Sequence, residues 1–457
     1  MFLRTRAFLL ATLFMAFSQT QTQAADSGPR FIRDAEVEST IRLMATPIFQ
    51  AAGLNPDAIS LNIILNPTLN AFVSGGQNMF FHTGLLIRVE NPSQLIGVMA
   101  HETGHIAGGH LARMDNTISD TMPAAILGAL LGVAVGAASG RGDAGAAIAL
   151  GSQDIAMRNI LSFSRMQESS ADQAGLKFLD MTHQSPKGML EFMELLGDQE
   201  LLVSVKQDPY VRTHPLTRER VSAIREAVQH SQWAEQQSRP EYVEPFRRMR
   251  AKLFAFIEPP IRTLQRYKDT DTSIEARYAR AIAYYRKPDL SSALPLMDNL
   301  IAERPKDPYF YEMKAQILFE NARGAEAVPL YKTAVELQPD NALLRVELAQ
   351  AQIEQDDPIM LAEAETNLNT ALKTEPTNAT GWTQLGIVYG KKGDEGMASY
   401  AMAEDALLEG RPDAAVFLAN KAERMLPKSG PIWLRLQDIK DRAESARREM
   451  KRQGQGQ

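Results

Sequence analysis

A chain of 457 residues exceeds the size of one ordinary domain, so its length predicts two or three domains. Hydrophobic residues make up 44% and charged residues 23%, a globular composition that excludes wholesale disorder. The net charge of -6 argues against nucleic acid as the main partner, because duplex-binding proteins present clustered Lys and Arg. The chain contains no cysteine, which excludes a disulfide scaffold and suits an oxidising compartment.

The amino terminus has the pattern of a secretory signal peptide. Arg4 and Arg6 precede an apolar run from Ala7 to Phe17, and small residues follow near Ala24. A membrane anchor is the alternative, but an anchor needs about 20 apolar residues and this run is shorter. Cleavage near Ala24 removes two arginines and no acid, which takes the net charge from -6 to -8. We therefore expect a mature protein in the periplasm.

A helix and a small sheet are predicted next. Apolar residues recur at helical spacing over residues 34–52. Short β-rich runs then follow around Ile63, over 71–73 and over 79–81, punctuated by Asn-Pro and Gly-Gly. The pattern predicts a strand-and-hairpin unit.

Asn91 and Pro92 form a helix cap and first turn that open a helix containing "GVMAHETGHIAGGHLAR". His101 and His105 differ by about 40 degrees on a helix and project from one face, where both rings can reach a single ion. Glu102 lies within about 100 degrees of both. This is the H-E-x-x-H zinc-peptidase motif, in which the carboxylate serves as general base for water on the metal.

The alternative for this stretch is an amphipathic helix whose histidines are satisfied structurally. His110 lies about 140 degrees from His105 and about 180 degrees from His101 on a continued helix, so we expect it to pack or to act behind the ligands rather than to bind the ion. His82, His183 and His230 have no patterned neighbours, and we expect a structural or solvent-facing position for each.

Two histidines do not complete a catalytic zinc site, and the residues alone do not select a third ligand among 55 acids. The stretch "SRMQESSADQAG" resembles the second motif of the HtpX-like zinc metallopeptidases, with Glu168 and Asp172 at the positions of Glu-x-x-x-Asp. The resemblance implies one Zn²⁺ per chain, Glu168 as the third ligand, and Asp172 as the residue that orients a ligand histidine.

A third match is "VRTHPLTRERV", which resembles the family's Thr-His-Pro segment followed by an arginine. The resemblance implies that His214 occupies the fourth zinc position and holds the enzyme off until displaced, and that Arg220 supports the site. The alternative for His214 is a histidine that merely caps a turn before Pro215.

Between these motifs, Met122 to Gly140 is a run of nineteen uncharged residues, long enough to span a membrane. A single crossing would place His105 and Glu168 on opposite sides of a bilayer. We therefore expect a soluble, mobile cover over the cleft, with at most peripheral membrane association; membrane or hairpin insertion is the alternative.

Substrate binding is predicted from strand chemistry, because proteases commonly hold an extended peptide on an exposed sheet edge. The candidate edge strand consists of Asn70, Ala71, Phe72 and Val73. An internal strand is the alternative.

The carboxyl-terminal part repeats with a period of 34 residues, visible in Ala281, Ala315 and Ala349 and in Pro305 and Pro339. This period is the signature of tetratricopeptide repeats, and an irregular helical bundle is the alternative. A three-residue insertion explains the later Pro376, and the longer interval to Pro427 suggests that the helix at 398–408 serves two neighbouring units.

The expected fold is α+β and predominantly helical: a gluzincin-type metallopeptidase domain with a small β-sheet, followed by an α-solenoid of tetratricopeptide repeats. The expected divisions are a signal peptide at 1–24, the peptidase domain at 25–240, a helical linker at 241–269, the repeats at 270–440, and a basic flexible tail at 441–457.

The family resemblance implies a zinc endopeptidase that degrades misfolded or stalled outer-membrane β-barrel proteins. It further implies that the repeats recruit clients or the barrel-assembly machinery. A chaperone or scaffold with a largely latent peptidase is the alternative, and a zinc-stabilised structural domain is a third possibility.

Overall fold

The computed structural model describes residues 30–110, 164–202 and 214–454, except for the side chains of 198–202 and 452–454. The expected signal peptide at 1–24 and the apolar segment at 122–140 lie outside the described residues. Among the described helices, none combines the length and the apolar character that a bilayer crossing requires.

The first half of the described chain builds one small sheet and the helices around it. In chain order its elements are β1 (Phe31–Ile32), α1 (Ala35–Ala51), β2 (Ser60–Ile64), β3 (Ala71–Ser74), β4 (Asn78–His82), α2 (Thr83–Arg88), α3 (Pro92–Gly108), α4 (164–181), α5 (Lys187–Leu202), α6 (Arg218–His230) and α7 (Pro240–Ile257).

The sheet has the strand order β1-β2-β4-β3, with β2 and β4 parallel and the other pairs antiparallel. The three predicted strand runs correspond to β2, β3 and β4. The two-residue β1 was not predicted, because so short a segment has no periodicity to detect. Within the described residues β3 pairs only with β4, so it is an edge strand.

The helices begin where the sequence supplies caps. Asp34 caps α1, and its position agrees with the predicted start of the helical run at residue 34. Asn91 caps α3 by accepting a hydrogen bond from the backbone N of Gln94 at 2.9 Å, and Pro92 occupies the first turn as predicted. The buried faces of α1, α3, α5 and the sheet form one continuous core, which includes Val37, Ile41, Phe49, Phe81, Leu95, Met99, Phe192 and Leu196. The core holds α3 firmly along its length.

The second half of the described chain is entirely helical. Its elements are α8 (Pro260–Arg266), α9 (Ile274–Arg286), α10 (Leu290–Glu303), α11 (Pro308–Phe319), α12 (Gly324–Leu337), α13 (Ala342–Ile353), α14 (Pro358–Thr374), α15 (Ala379–Lys391), α16 (Glu395–Leu408), α17 (Pro412–Met425) and α18 (Pro431–Gly454).

Neighbouring helices in this half pack in pairs, and the alanines that recur every 34 residues are fully buried at 281, 315 and 349. Helix α16 packs against both α15 and α17, as the other helices of this half pack against their neighbours, so its sharing by two units stays a prediction. Residues 441–454 belong to the segment for which the sequence predicted a basic flexible tail. They continue α18, because Ala443 is buried against the preceding helices in one cluster with Leu436 and Ile439.

A buried cluster of charged side chains, which we call the joint, connects the two halves. Lys252 of α7 is 1% exposed, and its Nζ lies 2.9 Å from Asp34 Oδ2 and 3.2 Å from Glu312 Oε2. Arg248, one turn earlier on α7, pairs with Glu36 Oε1 at 2.6 Å. The joint therefore ties α1 and α7 to α11 of the repeats.

Candidate metal centre

The histidine motif lies in the middle of α3, which presents His101, Glu102 and His105 into the protein interior. Their exposed fractions are 1%, 0% and 6%. Helix α4 crosses α3 at this level, and Gly104 makes the close approach possible. A Cβ at Gly104 would sit 2.7 Å from the carbonyl oxygen of Ala171, which is too close for a side chain. The crossing brings α4 within ligand distance of the histidines.

Four donor atoms from three parts of the chain converge beside this crossing. His101 Nε2 lies 3.1 Å from His105 Nε2, 3.4 Å from Glu168 Oε2 and 3.2 Å from His214 Nδ1. Glu168 Oε1 lies 3.3 Å from His105 Nε2 and 3.2 Å from His214 Nδ1. All four residues are buried, and their donor atoms form a candidate metal cluster.

These spacings fit a tetrahedral ion. Nitrogen and oxygen ligands bind zinc at about 2.0 to 2.2 Å, which places neighbouring ligand atoms of a tetrahedron about 3.3 to 3.5 Å apart. The donor set of imidazoles and a carboxylate also suits zinc. Both carboxylate oxygens of Glu102 are buried and accept no hydrogen bond from the described residues. They are therefore available to a ligand in the same space.

The two motif histidines differ in how strongly they hold a proton: neighbouring carboxylates favour a proton on His101, which an ion would have to displace, and burial disfavours one on His105. Burial lowers the pKa of His101, but contacts with Asp172 and Glu168 outweigh this effect and raise it to about 10. Burial also lowers the pKa of His105, to about 3, so that this ring is neutral at pH 7, the form in which imidazole binds metals. Burial raises the pKa of Glu102 above its usual range.

A second set of contacts holds these donors from behind. Asp172 Oδ1 lies 2.9 Å from His101 Nδ1, the ring nitrogen that faces away from the cluster. Arg220 donates two hydrogen bonds to the Asp172 carboxylate, at 2.6 and 2.8 Å, and its Nη1 lies 2.9 Å from Glu168 Oε2. Burial raises the pKa of Asp172, but the bonds from Arg220 and His101 outweigh burial and lower it.

The structure thus brings together all seven residues that the sequence and the resemblance selected for the centre: His101, Glu102, His105, Glu168, Asp172, His214 and Arg220. His110 lies behind His105, in agreement with the expectation that it packs or acts behind the ligands, with the two Nδ1 atoms 3.0 Å apart.

The other three histidines lie away from the cluster. His82 Nδ1 is 2.8 Å from the Thr68 hydroxyl, and His183 stacks on Trp233 with ring centroids 4.3 Å apart. His230 lies at the end of α6 and contacts a backbone carbonyl of its own helix. The candidate edge residues 70–73 lie on β3 and on the residue before it, so the predicted strand is present.

Comparisons with known proteins agree with this architecture. The profile of Peptidase family M48 matches residues 32–228, and a tetratricopeptide repeat profile matches residues 318–385. The "Beta-barrel assembly-enhancing protease" of Yersinia pestis is 26% identical over 363 residues, which cover 79% of this chain and 74% of the relative. The protein of the same name from Escherichia coli strain K12 is 26% identical over 377 residues, covering 79% and 73%.

One solved structure, titled "Crystal structure of YrrB: a TPR protein with an unusual peptide-binding site", aligns with 38% of this chain and 91% of its own at 18% identity, with a TM-score of 0.32. The family match spans α3, α4 and the segment that runs from His214 into α6, which together carry every residue of the buried cluster. Residues 32–228 are therefore similar to the peptidases of family M48, and helices similar to tetratricopeptide repeats follow them in this metallopeptidase chain.

Proposed function

We propose that this chain is a zinc-dependent endopeptidase of the periplasm that degrades misfolded or stalled outer-membrane β-barrel proteins. The observation that carries the peptidase assignment is the convergence of four buried donor atoms beside the carboxylate of Glu102. The client class and the compartment are supported by the names of the relatives and by the signal-peptide pattern of residues 1–24.

In this proposal His101, His105 and Glu168 hold the ion, and Asp172 fixes the ring of His101 by its contact with Nδ1. Zinc supplies Lewis acidity and lowers the pKa of a bound water to about 7. Arg220 contacts both carboxylates and helps to keep Asp172 ionised although it is buried, while the three histidines around Glu168 favour the ionised form of that carboxylate.

Glu102 is the proposed general base. Its carboxylate takes the proton of the attacking water and passes it to the amide nitrogen that leaves. Burial raises its pKa toward the operating pH, which suits a group that must both accept and release a proton. His214 Nε2 lies 3.5 Å from Glu102 Oε1, so this side chain occupies space beside the base as well as the fourth ligand position.

The peptide substrate is proposed to lie along β3. The backbone N of His82 donates to the carbonyl of Asn70 at 2.9 Å, which makes that pair a hydrogen-bonded pair of the antiparallel ladder. Hydrogen-bonded pairs alternate with open pairs, so the backbone groups of Ala71 and Val73 point away from β4. These groups are the proposed partners for an extended chain.

The repeats are proposed to recruit clients or the assembly machinery. The alternative is a chaperone or scaffold with a latent peptidase, and one observation favours latency: His214 lies within ligand distance of the other donors. A Glu102→Gln variant separates the two functions. If this variant supports the cell as fully as the wild type, chaperoning dominates.

Metal analysis and casein digestion by the purified protein test the peptidase proposal directly. We expect about one zinc per chain, and we expect Glu102→Gln to lower cleavage by about 10²-fold or more while zinc content and folding are retained. The exposed Glu336→Gln is the matched control and should cleave as the wild type does. Cleavage by Glu102→Gln at the wild-type rate would refute the role of this carboxylate.

A further inference from the structure

The imidazole of His110 lies on the far side of the proposed metal ligand His105. The two Nδ1 atoms are 3.0 Å apart, and His110 is 4% exposed. Because His105 turns Nε2 toward the other donor atoms, its Nδ1 faces outward and meets His110. His110 is therefore placed behind a ligand and does not share the ion.

The proposed metal ligation of His105 determines where the protons of this contact lie. A ring that gives the lone pair of Nε2 to a metal carries its proton on Nδ1, so His105 must donate across the 3.0 Å contact. His110 Nδ1 must then accept, which places the proton of His110 on Nε2. We infer that His110 is a positioning residue of the metal centre, which fixes the orientation and tautomer of His105 as Asp172 does for His101. This inference rests on the proposed zinc site.

The backbone at the end of α3 places the His110 ring behind His105. Helix α3 ends at Gly108, and Gly109 adopts φ 61°, a left-handed conformation that reverses the chain direction. Gln167 of α4 donates to the carbonyl oxygen of His110 at 2.8 Å and anchors its backbone. A Cβ at Gly108 would lie 2.3 Å from His110 Nε2, so the ring fits only above a glycine.

The two ligand histidines consequently have unlike supports. His101 is backed by the carboxylate of Asp172, and His105 by a neutral imidazole. A carboxylate increases the electron donation of its ring more than an imidazole does, because it carries a full negative charge. His110 thus contacts His105 Nδ1 directly with an imidazole, whereas His101 Nδ1 meets a carboxylate.

Three variants distinguish positioning from packing. His110→Leu removes the acceptor but keeps a similar volume. His110→Asn restores an acceptor oxygen near the position of Nδ1. Gly108→Ala retains the imidazole but displaces it, and Ala is more favourable than Gly inside a helix, so this variant is expected to fold. His230→Leu makes the same change at an exposed histidine and is the matched control.

The measurement is the zinc affinity of the full chain, obtained by competition with a chelator. Loss of a partner behind a metal ligand typically weakens metal binding about 10- to 100-fold, and we expect this loss for His110→Leu and Gly108→Ala. His110→Asn should lose less than about tenfold, and His230→Leu should match the wild type. Nitrogen-15 spectra of the zinc-loaded protein should show His110 protonated at Nε2 and not at Nδ1.

The outcomes separate this inference from the proposed function. A wild type that binds no zinc overturns both. Stoichiometric zinc in the wild type, with unchanged affinity in His110→Leu and Gly108→Ala, overturns only the role of His110. An His110→Asn variant as weak as His110→Leu, or a proton on His110 Nδ1, also overturns it. If His110→Leu fails to fold, Gly108→Ala and the nitrogen-15 spectrum still decide.

Discussion

At the scale of single residues, His214 has the position of an internal inhibitor. Its Nδ1 lies 3.2 Å from His101 Nε2 and 3.2 Å from both carboxylate oxygens of Glu168. A catalytic zinc site needs three protein ligands and one open position, and a fourth protein ligand closes that position. As the proposed fourth ligand, His214 would compete with water and substrate for that position.

We predict that His214→Ala raises the rate of casein cleavage. Removal of a competing fourth contact should increase kcat/KM by about tenfold, which corresponds to about 1.4 kcal/mol. Zinc should stay bound through the three remaining ligands. An unchanged or lower rate would contradict the inhibitory role and would favour a role for His214 in stabilising the transition state.

The sequence identified His101, Glu102 and His105 without help, because a helix places residues four apart on one face. It could not choose Glu168 among the other acids, since that pairing depends on how α4 crosses α3. The sequence predicted that His110 packs or acts behind the ligands, but the helical angle did not specify its direct contact with His105. The glycines at 108 and 109 are a helix-end signal, and they show that position 110 lies beyond the regular helix, where the angle no longer applies.

At the scale of elements, the crossing of α3 and α4 decides whether the centre exists. The two helices touch at Gly104 and Ala171, with Glu168 one turn before that contact on α4. Any side chain at 104 would have to separate the two backbones. A shift of a few tenths of an ångström at this point moves Glu168 away from the histidines.

We predict that Gly104→Ala weakens zinc binding by about tenfold or more, although it changes no ligand, because misplaced ligands lose metal affinity. Gly390→Ala is the control. That glycine lies in helix α15, and no heavy atom lies within 4 Å of the point that an added Cβ would occupy, so the change should be neutral or slightly stabilising. Wild-type zinc affinity in Gly104→Ala would contradict the tight crossing.

The edge strand permits a second test at this scale. Val73→Pro removes an N–H that points away from β4 and should spare the β3–β4 ladder. We predict a fall in kcat/KM of about fivefold to tenfold, the loss of one hydrogen bond of about 1 kcal/mol, without loss of zinc. Val73→Ala keeps the N–H and should cleave nearly as well as the wild type. Equal rates for Val73→Pro and Val73→Ala would exclude this edge as the substrate site.

At the scale of the whole molecule, the two halves share buried surface as well as charges. Ala35, at the start of α1, belongs to the same cluster as Ala315 and Leu344 of the repeats. Tyr278 of the first repeat donates a 2.8 Å hydrogen bond to Glu36. The joint also contains buried ion pairs, and removing one partner from such a pair typically costs about 3 to 5 kcal/mol of folding stability. The stability of each half therefore depends on the other half.

The sequence predicted both halves but not their joint. Asp34, Glu36 and Lys252 each read as ordinary charged positions on amphipathic helices. Their burial arises from contacts between residues more than 200 positions apart, and no local period records such contacts. Repeats and caps are local signals, which is why the helices themselves were predictable.

The joint also predicts a pH dependence of stability. Burial raises the pKa of Glu312 to about 7, against an opposing effect of Lys252; Asp34 and Glu36 of α1 raise it further. The folded state therefore holds this proton more tightly than the unfolded state does. The stabilisation is complete below about pH 4.5 and is lost as the pH rises through about 7.

We predict that Glu312→Gln, which cannot ionise, removes this loss. Relative to the wild type, its free energy of unfolding should increase by up to about 3 kcal/mol between pH 4.5 and pH 7, as measured by urea denaturation at each pH. The exposed Glu354→Gln should show no such trend. A difference between Glu312→Gln and the wild type that stays constant over this pH window would refute the prediction.

The joint has one more consequence. Lys252 links α7 to both α1 and α11, so the joint holds the start of the repeats against the half that contains the metal centre. A client bound to the repeats would be held at a set distance from the metal centre. Under the proposed function, this distance would select the substrate. A closed barrel keeps its strands too far from the metal centre to be cleaved, whereas a stalled barrel can offer a loose segment that is long enough to reach it.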